Sequence, residues 1–236
     1  MKTESTFFEW LGSALGEVIR TIVAALKSVF GGFGEAVGEF SSGLADALGM
    51  SPTLFNFALL VLGMLLFIIS EVMVFGAFFT AYFFIRVVTG DSWPGEGDHL
   101  PKAIAGVNTA ILLSSSLTMH WTVEATIKGN RAGMKAGIVT TFLLGVTFLF
   151  IQINEYVHVG FAPSDSAQAS VFYGLTGLHG AHVFVGLMLL TFANIRAWRG
   201  HFGPEPKKHL GVELPGIYWH FVDVMWIIVY VTIYIL

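Results

Sequence analysis

From Ser51-Pro52 onward the chain alternates long apolar runs with short polar connections, and five runs each reach the ~20 residues that a bilayer's hydrocarbon core requires. They fall at about 54–88, 102–127, 134–158, 170–197 and 214–236. Ser51 stands as a cap before the first with Pro52 at its opening, and Pro215 opens the last in the same way. The pattern ahead of Ser51 is different. Phe8, Leu11, Leu15, Val18, Ile22, Leu26 and Val29 recur at helical spacing while Glu9, Ser13, Glu17, Arg20 and Lys27 fall on the other side. This predicts an amphipathic helix over 6–30, broken by Gly31-Gly32, and a second one carrying the stripe Phe33, Val37, Phe40, Leu44 and Leu48. The charges within 7–30 argue against a further span. The expectation is an all-α integral membrane bundle of five transmembrane helices over 51–236, preceded by amphipathic interfacial helices within 1–50.

Composition agrees with the pattern. Of 236 residues, 55% are hydrophobic and only 12% charged, outside the range of soluble domains, where about a quarter are charged. With no cysteine, disulfides, thiolate metal sites and thiol nucleophiles are excluded together. A net charge of -4 argues against nucleic acid as a partner. The first residues, with Lys2, Glu4 and Glu9 and no small-residue cleavage site at a sensible distance, make a poor signal peptide.

Orientation follows from Lys and Arg, which collect in cytoplasmic loops. Lys2, Arg20, Lys27, Lys128, Arg131, Lys135, Arg196, Arg199, Lys207 and Lys208 share one side, which is ten of the twelve; Arg86 and Lys102 lie on the other. An odd number of spans then places the N-terminus in the cytoplasm and the C-terminus outside, in the periplasm of a bacterial inner (plasma) membrane.

Ionisable residues interrupt these apolar runs at Glu71, His120, Glu155, His179, His182, His220 and Asp223. Such a group costs roughly 2.5 to 3.5 kcal/mol at the centre of a spanning helix, so it turns toward a bundle interior or a wet cavity. His220 and Asp223, three apart, share a helix face and form one wall of a polar seam, unless they sit near enough to the helix start to snorkel. Glu71 falls about 25 Å along the first span, near mid-membrane, with only Ser70 as a neighbouring partner. It either fixes packing as a neutral hydrogen-bonding group or handles protons or lipid. Glu155 either reaches headgroups or joins a buried network. In Thr176-Gly177-Leu178-His179-Gly180-Ala181-His182-Val183 the small residues at 177, 180 and 181 invite close helix approach, and the two histidines read as hydrogen-bonded packing groups. A metal or haem site would need further ligands at matching depth, and only His120 offers itself, in the opposite half of the membrane. Arg196, Arg199 and His201 suit lipid phosphates, although positive-inside bias explains them equally well. No G-x-x-x-x-G-K, H-E-x-x-H or G-x-S-x-G occurs, so no catalytic residue and no metal site is assigned.

Five motifs appear in order: Ser70-Glu71-Val72-Met73; Asn108-Thr109 through Ser114-Ser115-Ser116; Leu144-Gly145 through Gln152 to Glu155-Tyr156; Gly177-Leu178-His179-Gly180-Ala181-His182-Val183; and Tyr218-Trp219-His220-Phe221-Val222-Asp223-Val224. Together they resemble subunit III of the haem-copper terminal oxidases, most closely of cytochrome c oxidase, from about residue 55 to the end. The resemblance implies a non-redox subunit of a proton-pumping oxidase in aerobic respiration. Such a subunit binds no haem or copper itself, packs against the catalytic subunit I that holds those centres and against subunit II, and retains phospholipid in a V-shaped cleft. It supports proton uptake and turnover stability of the core. The family motif makes Glu71 the buried acid long associated with carbodiimide reactivity. Arg196, Glu213 and His220 resemble polar residues of the family's lipid cleft and inner surface, and the headgroup candidates are Arg196, Arg199, His209 and Glu213. Seven-span members carry two more N-terminal helices, so this chain resembles the shorter, five-span bacterial form, with residues 1–50 free to dock a neighbouring complex in a larger respiratory assembly.

Two other readings remain open on sequence grounds. One is an accessory subunit of a quinol oxidase or nitric oxide reductase. The other is a self-contained proton transporter built on Glu71, His220 and Asp223, although neither internal repeats nor broken helices are evident.

Overall fold

The computed structural model describes residues 17, 20, 24, 28, 31, 32, 35–89 and 102–236, and within that set the chain is helical with no strand. It divides into two units, 1–65 and 66–236. In the first, residues 35–47 are helical and end at Gly49, whose φ of 65° suits a residue without a Cβ. Val37, Phe40, Leu44 and Leu48 are exposed along this helix. Gly31 and Gly32 are both helical, which corrects the break expected there: glycine costs about 1 kcal/mol relative to alanine in a helix but does not forbid it. Of the expected first helix over 6–30 only residues 17, 20, 24 and 28 are described, all helical, and the rest of it lies outside the described residues.

Helix α1 runs Pro52–Thr89, α2 Lys102–Ile127, α3 Arg131–His158, α4 Ala167–Trp198 and α5 Pro206–Tyr230, followed by a π-turn at Val231–Ile235. Four of these are long and apolar enough to cross a membrane: Ala58–Thr89, Arg131–His158, Ala167–Trp198 and Lys208–Ile235. This is a multi-pass membrane protein. The run expected as the second span forms the 26-residue helix α2, whose hydroxyl-rich sequence leaves it outside those four. Those hydroxyls are satisfied within the helix: Thr109 donates to the Ala105 carbonyl at 2.8 Å, Ser114 to Ala110 at 2.7 Å and Thr122 to Thr118 at 2.8 Å.

Local chemistry explains the helix ends. Gly129 (φ 72°) closes α2 in a Schellman arrangement, with Asn130 N–H donating to the Ala125 carbonyl at 2.8 Å and Gly129 N–H to Thr126 at 3.1 Å. Asn130 then caps α3, its side chain accepting from Gly133 N–H at 3.0 Å. Ser166 caps α4 in the same way at Ala169 N–H, 3.0 Å. The last helix begins at Pro206, ahead of the expected start near 214, and Pro215 lies inside it. Pro206 occupies the first turn, where its missing N–H costs nothing, while an interior proline is tolerated in membrane helices because neighbours re-satisfy the freed carbonyl.

Within the second unit, α2 packs on α3 and α5, α3 on α4, and α4 on α5. Leu66–Thr89 of α1 lies along α4: Phe78 sits over Gly174, and Gln168 donates to the Thr89 hydroxyl at 2.6 Å. Arg86 reaches the Leu236 carbonyl. The ends at residues 89, 102, 158, 167 and 236 therefore form one end of the bundle, and those at 127, 131, 198 and 206 form the other. Lys128, Arg131, Lys135, Arg196, Arg199 and Lys208 all fall at the second end.

The core is aromatic and centred on α5, where Trp219 and Trp226 are fully buried. Trp219 fits only because Gly145 and Gly186 have no side chain. A Cβ at Gly145 would lie 2.5 Å from its Cη2, and one at Gly186 2.8 Å from its Cε3. Close helix approach is thus set here, whereas Gly177 and Gly180, expected to mediate it, would meet neighbours only at 3.9 and 3.8 Å.

Candidate functional site: three separate polar groups inside the bundle

The structure separates the expected polar seam into three clusters. The first joins α1 to α4. Glu71, 13 residues past Ala58 and hence about 20 Å into its span, places Oε2 2.7 Å from His182 Nε2. His182 Nδ1 faces the Leu178 carbonyl at 2.7 Å, so that nitrogen carries its proton and donates. Nε2 then either accepts from a protonated Glu71 or donates, as imidazolium, to a carboxylate. Both forms hold one proton between the two side chains and are neutral as a pair, which is what an apolar setting favours. Phe75 packs on the imidazole with ring centres 5.0 Å apart, and Tyr218 Oη donates to the His182 carbonyl at 3.1 Å. The side chains of Glu71 and His182 keep 20% and 12% of their surface exposed, so the pair opens on the outside of this chain rather than into its core. The sequence offered Glu71 only Ser70; its real partner is His182, and Ser70 bonds back to the Phe67 carbonyl.

The second cluster lies between α2 and α5. Ser116 Oγ and His220 Nδ1 are 2.6 Å apart, and Asp223, 2% exposed, lies beside Ser116 with no hydrogen-bond partner for either carboxylate oxygen. Burial that deep rules out snorkelling for Asp223. His120 is exposed, so it is not part of a buried seam. One turn away, Trp219 Nε1 donates to Ser115 Oγ at 2.8 Å, which fixes the register of α5 against α2.

The third cluster joins α3, α4 and α5. Glu155 is buried, not at headgroups, and accepts from the Tyr234 hydroxyl. Gln152, one turn along, has no partner for either amide atom. His179 is fully buried between Phe148 and Trp226, with ring centres at 5.7 and 4.7 Å, and neither ring nitrogen has a partner. The hydrogen bond expected of it is not made to any described residue; Phe148 meets the ring edge-on and Trp226 lies tilted against it. A buried polar group left unpaired within the chain costs about 1–3 kcal/mol. Asn108 completes the cluster, donating to the Phe148 carbonyl at 3.2 Å.

At the basic end of the bundle Arg196 and Arg199 are exposed, with the Arg196 guanidinium 5.5 Å from the Phe202 ring centre. His209 Nδ1 and Glu213 Oε1 pair at 2.7 Å. Lys135 lies over Trp198 at 4.6 Å. The four expected headgroup residues thus share one end, two as exposed cations and two as a half-buried pair.

Sequence reasoning missed Tyr234 altogether and did not match His182 to Glu71. Depth alone could have found both: Glu71 and His182 lie near the middles of neighbouring antiparallel helices, and Glu155 and Tyr234 near the same end of theirs. Among the described residues no three or more His, Asp or Glu side chains gather as a metal-ligating group.

A helical membrane protein that carries acids and imidazoles within its bundle, one Glu–His pair of them opening on its outer face, is the class of protein this arrangement defines. Comparison with known proteins makes the class specific. The family model for cytochrome c oxidase subunit III matches residues 48–236. The chain is 41% identical over 177 residues to cytochrome c oxidase subunit 3 of Thermostichus vulcanus, covering 75% of this chain and 87% of that one. Against the subunits 3 of Oryctolagus cuniculus and Drosophila yakuba it is 38% and 40% identical over 178 residues, covering 73% of this chain and 67% of theirs. The chain belongs to the cytochrome c oxidase subunit III family.

Proposed function

We propose that this chain is the non-redox subunit III of a proton-pumping haem-copper terminal oxidase, packing against the catalytic subunit I and subunit II, where haem and copper reside. Its contribution is to retain phospholipid and to sustain proton uptake and stability of the catalytic subunit during oxygen reduction. The observation that carries this reading is the Glu71–His182 pair: a carboxylate oxygen and an imidazole nitrogen 2.7 Å apart near the middles of two long apolar helices, on a surface of the chain rather than in its core. A packing device would be sealed inside; a pair on the outer face is available to a neighbouring subunit or lipid.

In this reading α2 is the fifth span. At 26 residues and about 39 Å it is long enough, and its hydroxyls are satisfied within the helix. The chain then crosses a bacterial inner membrane five times, with the basic end of the bundle and the N-terminus in the cytoplasm and the C-terminus in the periplasm. Arg196, Arg199, His209 and Glu213 meet phospholipid headgroups at the cytoplasmic surface, and the helices of residues 1–50 lie along that surface or dock a neighbouring respiratory complex. The family match beginning at residue 48 supports treating those first residues as a separate addition.

Glu71→Gln tests the reading in the assembled oxidase. The amide keeps a hydrogen bond to His182 but cannot carry the mobile proton, so the complex assembles with its haem spectrum intact while proton uptake slows about twofold, equivalent to ~0.4 kcal/mol. Loss of the whole complex from the membrane would assign Glu71 to structure. Purification of the chain without any haem- and copper-containing partner would overturn the assignment itself.

A further inference from the structure

Unpartnered buried polar atoms are not scattered through this bundle. Of the nine such side-chain atoms among the described residues, six belong to the third cluster: Asn108 Oδ1, Gln152 Nε2 and Oε1, Glu155 Oε2, and both ring nitrogens of His179. They come from α2, α3 and α4, Asn108 and His179 meeting at Phe148, and Gln152 and Glu155 at Tyr234. Phe148, whose ring meets both His179 and Trp226, marks the inner level; Gln152 stands one turn further out, and Glu155 nearly another. Seven residues of α3 separate Phe148 from Glu155, about 10 Å of helix. Tyr234 at the outer level donates to Glu155 and lies beside Gln152 as well. All four side chains are at least 97% buried, so bulk solvent and lipid do not reach them.

We infer that this column is a binding site for a file of ordered water between α2, α3, α4 and α5, running from Glu155 at the outer end of α3 inward to His179. Donors and acceptors alternate along it as a water file requires: a carboxylate oxygen, an amide offering both kinds of group, an amide oxygen, and an imidazole with one nitrogen of each kind. His179 precedes His182 by three residues on the same face of α4, so the file ends beside the Glu71–His182 pair. Both His182 nitrogens are engaged, so a proton passes between the file and that pair only through His182 Nδ1 as it exchanges the Leu178 carbonyl for the last water of the file. The functional part of the inference rests on the reading of Glu71 as a proton-handling group; the water site itself does not.

Hydroxyl-radical footprinting of the intact detergent-solubilised complex tests the site, because radicals generated from bound water oxidise the aromatic side chains that touch it. Trp219 and Trp226 are equally buried, and each indole donates to a hydroxyl of α2, so they form an internal control. Trp226 and Tyr234 are expected to be oxidised several-fold faster than Trp219, and Gln152→Leu to bring both down to the Trp219 level with haem content unchanged. Should Gln152→Leu fail to assemble, Tyr234→Phe serves instead, lowering the labelling of Trp226. Equal labelling of Trp226 and Trp219 in the unsubstituted complex overturns the site. Hydrogen–deuterium exchange at the Glu71 carboxyl, followed by infrared spectroscopy, reads the route: His179→Phe is expected to slow it several-fold, and unchanged exchange would sever the file from Glu71. A labelled column together with normal uptake in Glu71→Gln would remove the proton-handling reading and leave the water site standing.

Discussion

The sharpest consequence of the fold concerns the slot that holds Trp219. A methyl group placed at Gly145 would lie 2.5 Å from Trp219 Cη2, 2.8 Å from Cζ2 and 3.0 Å from Leu187 Cδ2. Carbon atoms rest at about 3.5–4.0 Å, so something must move by about 1 Å. The indole cannot retreat, because its other edge lies against Gly186, where a Cβ would meet Cε3 and Cζ3 at 2.8 Å, and its Nε1 is held by Ser115 at 2.8 Å. Overpacking of this kind costs about 1–3 kcal/mol. Breaking the indole hydrogen bond in the process adds roughly 0.5–1.5 kcal/mol. Gly145→Ala should therefore destabilise the bundle by about 2–4 kcal/mol, a factor of about 30 to 700 in its folding equilibrium. Gly180→Ala is the matched control: its Cβ would meet only Leu149 Cδ1 at 3.8 Å, and the better helix propensity of alanine leaves it neutral or slightly stabilised. Equilibrium unfolding in mixed micelles, followed by tryptophan fluorescence, measures both. Gly145→Ala and Gly186→Ala press on one indole, so their costs should not add, and Trp219→Phe should relieve either. If Gly180→Ala lost as much stability as Gly145→Ala, the slot would not be what sets helix approach here.

Three further outcomes are expected. Tyr234→Phe leaves Glu155 without its only hydrogen-bond donor among the described residues and should cost about 1–3 kcal/mol in the same unfolding assay, whereas Tyr230→Phe on the preceding turn should cost less than about 1 kcal/mol. Replacing Arg196 and Arg199 together by alanine removes two exposed cations and one contact with Phe202; stability should change by less than about 1 kcal/mol while anionic phospholipid retained by the purified complex falls, as read by lipid mass spectrometry. Unchanged lipid would confine the pair to positive-inside charge. Deleting residues 1–50 should weaken attachment of this subunit or its lipid on detergent washing while the haem absorption spectrum stays intact, and a lost haem signal would place those residues in the catalytic core's assembly.

How far the sequence reaches is clearest in the positions of its helices. The runs ending near 88, 127, 158 and 197 match helices ending at Thr89, Ile127, His158 and Trp198, because a membrane helix is dictated by contiguous apolarity and by end signals such as Asn130 and Ser166 that act within one turn. Pro215 misled because a proline's meaning depends on where the helix has already begun, and Pro206 begins it. Gly31 and Gly32 misled in the opposite sense, since glycine weakens a helix without ending it.

Which ionisable groups exist, and that they lie within the spans, is a matter of local composition and so is determined by the chain alone. Their partners are not, because each choice depends on the rotation and depth of one helix against another: Glu71 finds His182 across 111 residues, Glu155 finds Tyr234 across 79, and His120, on α2, turns outward. Those rotations depend on close contacts at Gly137 against Thr118 and Thr122, at Gly145 and Gly186 around Trp219 and at Gly174 under Phe78, and a glycine in sequence does not announce which side chain will occupy the space it leaves. Apolarity and end chemistry act over one helix and are written in order along it, whereas the pairing of buried charges is a property of surfaces that exist only once the helices have met.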